Sequence, residues 1–438
     1  MTKVNFLLIG IDTLRADHLS CYGYVRKTSP RIDRLASEGI IFTNAFANGI
    51  PTHPSWTTIL TGVHPLRHKI ITHMGNVKLS KDIPMIQEIL KKEGYSTGAV
   101  DNMFLKYGSF YAWFTRGFDI YSHPGGIPAP EAGLKVQAKE VTEASIKLIN
   151  ELDRTGKPFF VFLHYWDPHG PYKPPTPFNT LFWRRDVPEN DKMLDYVIAQ
   201  YDGEIAYVDS MIGKLLDFLE ERKLLENTVI IITSDHGENL MQHGDYLGHK
   251  GLYDNITRIP LIVRLPDGER KGEIDSIVQH VDIAPTILEL AGVKAKVKMS
   301  GESLVSLLND DRPRREEVVM LESTQQKAIG LRTKRWKLIK YLEETPEGFP
   351  KGYLQLFDLK RDPEERVNLA YHELELTKEL ESRLETLTKE ILCGQENPLL
   401  KQSITRRKVK FYSEAKDLIE LYGLIIRYGQ IKEENEEL

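Results

Sequence analysis

Two acidic side chains and one histidine follow the ends of two apolar segments in the sequence. Asp12 comes directly after the apolar run 4–11, and Asp235 and His236 follow the run 228–233. If both runs are strands of one parallel sheet, their carboxyl ends lie at the same edge, where open sheets bind ligands. Two carboxylates and an imidazole are suitable donors for a divalent cation. The spacing therefore predicts a metal site formed by these three residues.

Each residue also has a structural interpretation. An aspartate at the end of a strand often caps a helix, and this role fits Asp12 equally well when it is considered alone. The adjacent pair Asp235 and His236 is harder to explain in that way. Two ionisable groups at a buried strand end need a partner, and a metal ion supplies one for both.

A third segment, residues 51–62 with the sequence PTHPSWTTILTG, is rich in hydroxyl groups. Pro54 and Ser55 at the start of an apolar stretch predict a loop that enters a helix. A hydroxyl at this point faces free backbone N–H groups and the positive end of the helix dipole, which is a natural anion site. In the simpler alternative, Thr52 or Ser55 only caps the helix.

The segments around these residues predict an α/β fold. Continuous apolar runs at 4–11, 159–164, 228–233 and 260–265 are typical of strands covered on both faces. Helical patterns lie between them, at 32–38, 84–93, 136–152, 192–222 and 282–291. Strands that alternate with helices predict a three-layer α/β/α sandwich with a mostly parallel central sheet.

Beyond residue 315 the pattern changes to a short antiparallel set at 318–321, 328–341 and 353–359. The run 328–341 alternates roughly between apolar and polar residues, which predicts one half-buried strand. Helical patterns follow at 373–392 and 413–427. We expect a catalytic domain over 1–315, a smaller α+β subdomain with an antiparallel sheet over 316–370, and a helical tail over 371–438.

Composition excludes several classes of protein. The 438 residues are 41% hydrophobic and 28% charged, with a net charge of −5, which gives no sign of a nucleic-acid binder. The two cysteines, Cys21 and Cys393, imply no disulfide framework. The first apolar run is too short for a signal peptide, and no stretch approaches the roughly 20 apolar residues of a membrane span. We therefore expect a cytoplasmic protein without a membrane partner.

Three blocks resemble the sulfatase family of the alkaline phosphatase superfamily. LIGIDTLRADHLSCYGY is similar to the family's opening strand and metal carboxylate, FTNAFANGIPTHPSWTTILTGVHPLRH to its nucleophile segment, and SDHGENLMQHGDYLGHKGLYDN to its second metal segment. Weaker matches lie at 164–175, 281–292 and 353–370, all in the family's order. The resemblance implies the same sandwich with a smaller C-terminal subdomain.

The resemblance also implies roles for single residues. Asp12, Asp235 and His236 would be metal ligands, and Thr52 would stand at the nucleophile position beside the same ion. His169 and Lys250 would contact the substrate anion or protonate the leaving group. His249 competes with Lys250 because the segment GHKG aligns in either register.

Two further residues are candidates for substrate binding. Asn102 stands in the segment that would contact the anion, and His53 neighbours the nucleophile position and could line the pocket. The implied substrate is a small anionic ester, and a homo-oligomer is compatible with the sequence.

The chain departs from the family pattern at several polar positions. Thr52 replaces the Cys or Ser that is oxidised to formylglycine, so no formylglycine is expected. Trp56 stands where an Arg is usual, and residues 102–104 read Asn-Met-Phe in place of Lys-Trp-His. Thr13 replaces the second carboxylate of the opening pair. Groups that would hold a sulfate are therefore missing.

These departures favour a metal-dependent hydrolase of phosphate or phosphonate esters, diesters included, that forms a covalent intermediate on Thr52. A formylglycine hydrate ejects sulfate from its own carbon, whereas an alcohol nucleophile must be freed by water, and phosphoryl enzymes are readily resolved in that way. Two alternatives remain open: an arylsulfatase-like enzyme that acts on sulfuric esters without formylglycine, and a non-catalytic homologue that binds anions.

We expect one divalent metal ion, either Mn, Zn, Ca or Mg. Lys250, if it points inward, would place its own positive charge where a second ion would bind. The alternative is a two-metal site, for which five residues are available in the right segments: Asp167, His169, His243, His249 and His280.

Overall fold

The computed structural model describes residues 3–73, 75–101, 109–124, 136–183, 192–243, 247–268, 270–309 and 315–402. The strands are β1 (Asn5–Ile11), β2 (Ile40–Phe46), β3 (Gly49–Ile50), β4 (Ser96–Val100), β5 (Ile120–Ser122), β6 (Phe159–Tyr165), β7 (Thr228–Thr233), β8 (Asn239–Leu240), β9 (Leu247–Gly248), β10 (Arg258–Ile259), β11 (Leu261–Arg264), β12 (Gly272–Gln279), β13 (Glu317–Glu322), β14 (Ala328–Thr333), β15 (Trp336–Tyr341) and β16 (Leu354–Asp358). The α-helices are α1 (Pro30–Ser37), α2 (Thr52–Thr61), α3 (Pro65–His68), α4 (Ile86–Lys92), α5 (Ala138–Asp153), α6 (Lys192–Glu221), α7 (Asp254–Thr257), α8 (Ile283–Leu290), α9 (Val305–Asn309), α10 (Leu374–Leu392) and α11 (Pro398–Lys401).

A large mixed sheet forms the centre of the molecule, with the strand order β10-β2-β11-β7-β1-β6-β4-β5 and with β12 paired to β2. The strands from β7 to β5 are parallel to one another, which confirms the predicted mostly parallel sheet. The predicted strand at 260–265 is present as β11, but it runs antiparallel to β7. The connection between them, residues 234–260, contains β8, β9, α7 and β10, and an antiparallel pair of strands needs no crossover helix.

Both faces of this sheet are covered, as the continuous apolar runs predict. Phe6 and Leu8 of β1 belong to a core cluster with residues of α2, α4 and α8. Leu7 and Ile9, which point to the opposite face, belong to a second cluster with residues of α1, α5 and α6. The result is the predicted three-layer sandwich, and the matching predicted helices lie within two residues of the observed ones.

Some strands lack an apolar signal because helices pack closely on their backbone. β4 reads STGAV, yet all five residues are buried. A Cβ atom at Gly98 would lie 2.9 Å from a methyl carbon of Leu148 on α5, so the strand accepts only a small residue at this position. The strands β2, β4 and β12 were not predicted from the sequence.

A second sheet has the order β16-β15-β14-β13-β3. The run 328–341, predicted as one half-buried strand, forms the antiparallel hairpin β14–β15 instead. Its residues are buried on both faces because Leu380 and Leu384 of α10 pack in the same cluster as Leu331 and Leu338. The predicted helix at 413–427 lies outside the described residues.

The small sheet is joined to the segment that precedes Thr52. β13 pairs in parallel with β3, with Leu321 opposite Gly49 and Glu322 opposite Ile50. The division of the chain at residues 315 and 370 stays a prediction. None of the helices in the described ranges combines the length and the apolar character needed to cross a bilayer.

Gly10 on β1 determines how closely α2 approaches the sheet. A Cβ atom at this position would lie 2.1 Å from Cη2 of the Trp56 indole, which is fully buried. We expect Gly10→Ala to lower the free energy of unfolding by about 1–3 kcal/mol or more, because overpacking a core usually costs this much. Urea denaturation measures this loss. In the double variant Gly10→Ala/Trp56→Phe, the smaller ring should recover part of it, whereas unchanged stability of Gly10→Ala would contradict the close contact.

Asp209 on α6 forms hydrogen bonds with the first turn of α1. Its carboxylate accepts hydrogen bonds from the backbone N–H groups of Arg31, at 3.0 Å, and Ile32, at 2.7 Å. Burial raises the pKa of this carboxyl to about 7 and outweighs the backbone N–H groups, which lower it. The fold therefore favours the protonated form of Asp209 over the ionised form.

This shift predicts a pH-dependent stability with a definite sign. Because the folded-state pKa lies above the unfolded value of about 3.9, the contribution of Asp209 is complete below about pH 4 and is lost as the pH rises through 7. The loss has a limiting slope of about 1.4 kcal/mol per pH unit. Denaturation of Asp209→Asn should show a flatter decline between about pH 4 and 7 than the unmodified protein. Parallel curves would show that Asp209 ionises normally.

Candidate active site

Strand register brings the two predicted aspartates side by side. Gly10 on β1 is opposite Thr233 on β7, and these are the last paired residues of the two strands. Asp12 and Asp235 each follow two residues later, so they leave the sheet at the same edge. His236 is the next residue along the chain.

These three residues form a compact group of possible metal ligands. One ligand atom from each of Asp12, Asp235 and His236 lies within 4.8 Å of the others, and all three side chains are buried. Both carboxylate oxygens of Asp12, Oδ2 of Asp235 and Nε2 of His236 have no hydrogen-bond partner among the described residues. Buried polar atoms without hydrogen bonds are costly, and a divalent cation would bind the three carboxylate oxygens and the imidazole nitrogen. The residues present therefore fit a divalent metal ion.

Backbone contacts orient two of these ligands. Oδ1 of Asp235 accepts the backbone N–H groups of Thr13, at 3.1 Å, and His236, at 2.9 Å, which leaves Oδ2 for a cation. Thr13, which donates one of these hydrogen bonds, has a φ of 57°, a left-handed conformation that is uncommon for a residue other than glycine. Nδ1 of His236 lies 2.8 Å from the Gly237 carbonyl oxygen and donates to it, so that Nε2 carries the free lone pair.

Burial has opposite effects on the charges of these two ligands. It raises the pKa of the Asp235 carboxyl to about 6 and lowers the pKa of the His236 imidazole to about 4. Both shifts disfavour the charged form of a buried group. A neutral imidazole is the form that binds metals, and a buried carboxylate gains most from a neighbouring cation.

Thr52 is the first residue of α2 and is 2% exposed. Pro51 is the N-cap, and no side chain caps the helix, so the interpretation of Thr52 or Ser55 as simple caps is wrong. The Ser55 hydroxyl lies 2.6 Å from the Gly49 carbonyl oxygen and 2.8 Å from that of Asp235. Ser55 therefore ties the start of α2 to the strand end that carries Asp235 and His236. These two residues and Asp12 are the metal group, the possible ligands of one cation.

Two further histidines lie next to this group. The ring of His249 is 4.5 Å from the His236 ring and 5.6 Å from the His169 ring, measured between centroids. Nδ1 of His249 lies 3.8 Å from Oε1 of Glu238, which is 1% exposed. Nδ1 of His169 lies 2.7 Å from the Gly170 carbonyl oxygen.

The environments of these histidines shift their pKa values apart. Burial lowers the pKa of His169 to about 4 and outweighs the attraction of Asp12. Burial alone would also lower the pKa of His249, but the Glu238 carboxylate outweighs burial and raises this pKa. Pairs of groups with opposite shifts are typical of acid and base roles in one site.

His249 and Lys250, the two alternatives in the GHKG segment, make different contacts. His249 lies against His236, whereas the Lys250 ammonium forms an ion pair with Glu347. Glu347 is distant in sequence, so neighbouring residues gave no indication of this pair. His53, the neighbour of Thr52, stacks on His73 with ring centroids 4.2 Å apart, and burial lowers its pKa to about 3. Asn102 lies outside the described residues.

Three of the residues considered for a second metal make other contacts. Oδ2 of Asp167 accepts the backbone N–H of Ala138 at 2.7 Å. His243 stacks on Tyr253 with ring centroids 3.7 Å apart, and Nε2 of His280 lies 2.9 Å from the Ser234 carbonyl oxygen. Within the described ranges, Asp12, Asp235 and His236 are the one set of three possible ligands whose ligand atoms all lie within 4.8 Å of one another.

His164 was not singled out from the sequence. It lies near the end of β6, where its Nδ1 is 2.6 Å from Oδ1 of Asp101 and its Nε2 is 3.5 Å from Oδ2 of Asp12. Burial would lower its pKa, but the two carboxylates outweigh burial and raise the pKa to about 10. A histidine within an apolar strand is more often a packed residue, and Asp101 becomes its partner only through the pairing of β4 with β6.

A family model described as Sulfatase matches residues 4–293, and a model described as N-sulphoglucosamine sulphohydrolase, C-terminal, matches residues 242–390. The first match covers more than half of the 438 residues. The chain therefore belongs to the sulfatase family, within the alkaline phosphatase superfamily, and is a hydrolase of this family. This confirms the resemblance that the three sequence blocks indicate.

Similar proteins come from several branches. The chain is 25% identical to the uncharacterized sulfatase YidJ of Escherichia coli K12, over 70% of this chain and 71% of that protein. It is 24% identical to the multifunctional alkaline phosphatase superfamily protein PehA of Trinickia caryophylli, over 84% and 92%. The crystal structure of a phosphonate monoester hydrolase of Agrobacterium radiobacter superposes with a TM-score of 0.73 at 21% identity, covering 89% and 96%, and this likeness confirms the fold.

Proposed function

We propose that this sulfatase-family chain hydrolyses phosphate or phosphonate esters, diesters included, with the unmodified hydroxyl of Thr52 as the nucleophile. The observation that carries the proposal is the position of Thr52 at the uncapped start of α2, which Ser55 ties to the main chain of Asp235 at 2.8 Å. A threonine cannot yield formylglycine, so the intermediate must be an ester of the threonine itself. Water resolves phosphoryl and phosphonyl esters of this kind.

Asp12, Asp235 and His236 would hold one divalent cation, with the Thr52 hydroxyl as a further oxygen donor. Such an ion (Mn, Zn, Ca or Mg) would stabilise negative charge on the transferred group and would lower the pKa of the Thr52 hydroxyl. The free N–H groups at the start of α2 would bind the same anionic oxygens.

In the first step, Oγ1 of Thr52 attacks phosphorus from the side opposite the leaving group. The bond between Oγ1 and phosphorus forms, the bond between phosphorus and the leaving oxygen breaks, and the hydroxyl proton goes to solvent. We assign His249 to protonate the leaving oxygen. Its Nδ1 lies 3.8 Å from Oε1 of Glu238, and this carboxylate holds the imidazole beside the proposed metal ligands. Lys250 is the alternative, but it would have to leave its ion pair with Glu347.

In the second step, a water oxygen bonds to phosphorus, the bond to Oγ1 breaks, and Oγ1 takes up a proton from solvent, which returns Thr52 to its hydroxyl form. Nδ1–H of His169 donates to the Gly170 carbonyl at 2.7 Å, so Nε2 carries a lone pair. We assign this nitrogen to accept the proton of the attacking water. His53 lines the pocket beside Thr52 in this proposal, and Asn102 remains a predicted contact for the substrate.

A second candidate function is the hydrolysis of sulfate esters by the same unmodified threonine. It is favoured by the family match to the C-terminal part of N-sulphoglucosamine sulphohydrolase over residues 242–390. The chemical step would be the same at sulfur, but the resulting sulfate ester of Thr52 would have to be hydrolysed by water.

Matched aryl substrates distinguish the two functions. We expect kcat/KM with bis-p-nitrophenyl phosphate or p-nitrophenyl phenylphosphonate to exceed the value with p-nitrophenyl sulfate, in the presence of added Mn²⁺ or Zn²⁺. The leaving group is the same in all three esters, so the comparison isolates the transferred group. A higher value with the sulfate ester would overturn the proposal in favour of the second candidate.

A further inference from the structure

A chain of polar side chains, buried except for the partly buried Tyr121, crosses the carboxyl edge of the large sheet. The Tyr121 hydroxyl on β5 donates to Oδ2 of Asp101, and Oδ1 of Asp101 lies 2.6 Å from Nδ1 of His164. Nε2 of His164 lies 3.5 Å from Oδ2 of Asp12. Four strands are thereby connected in the order β5, β4, β6 and β1, and the chain ends on a carboxylate of the metal group.

These contacts are shielded from water. Asp12 and Asp101 are fully buried, and His164 is 2% exposed. The Trp56 indole meets the His164 ring edge to face, with centroids 5.0 Å apart, and Phe162 stacks on its side at 6.0 Å. The imidazole therefore has little freedom to rotate, and its two nitrogens face one carboxylate each.

The register of the sheet explains why the imidazole reaches Asp12. Gly10 on β1 is opposite His164 on β6, and Asp12 is two residues further along the chain, directly after β1, so both side chains project from the same face. Because position 10 carries no side chain, the Trp56 ring packs on the backbone there. The histidine and the aspartate then lie side by side beneath α2.

We propose that His164, held by Asp101, is a positioning residue that orients the Asp12 carboxylate toward a divalent cation. The inference rests on the metal site of the proposed function. The contact of Nε2 with Oδ2 at 3.5 Å limits the rotation of the Asp12 carboxylate, while the contact of Nδ1 with Asp101 at 2.6 Å holds the ring. Outer-shell contacts of this kind commonly contribute about 10–100-fold to metal affinity.

A direct role of His164 as a metal ligand fits the geometry less well. The group whose ligand atoms all lie within 4.8 Å of one another in the described residues consists of Asp12, Asp235 and His236, and His164 is not a member. The two roles differ in a measurable quantity, which is the number of nitrogen atoms bound to the metal.

The test is Mn²⁺ binding to the full chain, measured by calorimetry, for the unmodified protein, His164→Phe and Asp101→Asn. We expect both substitutions to raise Kd by about 10–100-fold. Pulsed electron paramagnetic resonance of bound Mn²⁺ should report one coordinated nitrogen, from His236, in all three proteins. Asp119→Asn is the control. The Asp119 carboxylate accepts the backbone N–H of Thr97 at 2.9 Å, so it also contacts β4, but at the end of the strand opposite to Asp101.

Several outcomes would overturn the inference. An unchanged Kd in either His164→Phe or Asp101→Asn would remove the positioning role, and a loss of one coordinated nitrogen in His164→Phe would make His164 a ligand. Asp101→Asn keeps the side-chain shape and serves if His164→Phe does not fold. If the unmodified protein bound no Mn²⁺, the metal site itself would fail and this inference with it, which is distinct from the case in which only the variants behave unexpectedly.

Discussion

Replacing Thr52 by alanine is expected to lower kcat/KM for bis-p-nitrophenyl phosphate by about 10³-fold or more, the scale of loss when an enzyme's nucleophile is removed. The physical reason is that no other hydroxyl occupies the first position of α2, where the helix N–H groups and the metal group meet. The fold should be retained, because the Thr52 side chain caps no helix. Steady-state kinetics with added Mn²⁺ measures the effect.

Two matched substitutions separate the chemistry of Thr52 from its packing. Thr52→Ser keeps a hydroxyl at the same atom and should retain most of the activity. Thr61→Ala removes a buried hydroxyl at the other end of α2, where it donates to the Thr57 carbonyl at 2.6 Å, and should affect stability more than turnover. Activity of Thr52→Ala at the level of the unmodified protein would exclude Thr52 as the nucleophile.

Asp235→Asn is expected to remove most of the metal affinity, with Kd for Mn²⁺ raised by more than about 100-fold, beyond the usual effect of an outer-shell contact. The substitution replaces the one Asp235 oxygen that the backbone leaves open, since Oδ1 already accepts two N–H groups at 3.1 and 2.9 Å. Activity should fall in parallel, because the hydroxyl of Thr52 would lose the cation that activates it.

Thermal unfolding provides a readout that does not depend on turnover. A ligand present at 100 times its Kd stabilises a folded protein by about 2.7 kcal/mol, so Mn²⁺ should raise the Tm of the unmodified protein. The same addition should leave Asp235→Asn nearly unchanged. Asp209→Asn is the matched control, because it also removes a buried carboxylate, and it should keep the full response to metal. An equal response in Asp235→Asn would place the metal elsewhere.

The metal group was the part of the site most accessible from the sequence. Asp12 and Asp235 follow short continuous apolar runs, which are typical of buried strands, and the carboxyl ends of parallel strands meet at one edge. No long-range information is needed beyond the order of strands. Strand order alone could not distinguish His249 from Lys250, because the contacts of these residues depend on distant parts of the chain, such as Glu347 of the C-terminal region, which pairs with Lys250.

His164 and Asp101 show what the sequence could not indicate. Their contact depends on the pairing of β4 with β6, and β4 has no apolar pattern because the leucines of α5 pack on its backbone. The hairpin β14–β15 was missed for a related reason. Its outer face is covered by α10, so the alternation of apolar and polar residues did not correspond to a half-buried strand.

The most direct test of the account is to trap the covalent intermediate. The unmodified protein, with Mn²⁺, would be mixed with p-nitrophenyl phenylphosphonate, quenched in acid during turnover and digested for peptide mass spectrometry. The account predicts a phenylphosphonyl group on the peptide that contains Thr52, with fragmentation placing it on that residue, and no such group in Thr52→Ala. Turnover with the Thr52 peptide unmodified and the adduct on another residue would contradict it.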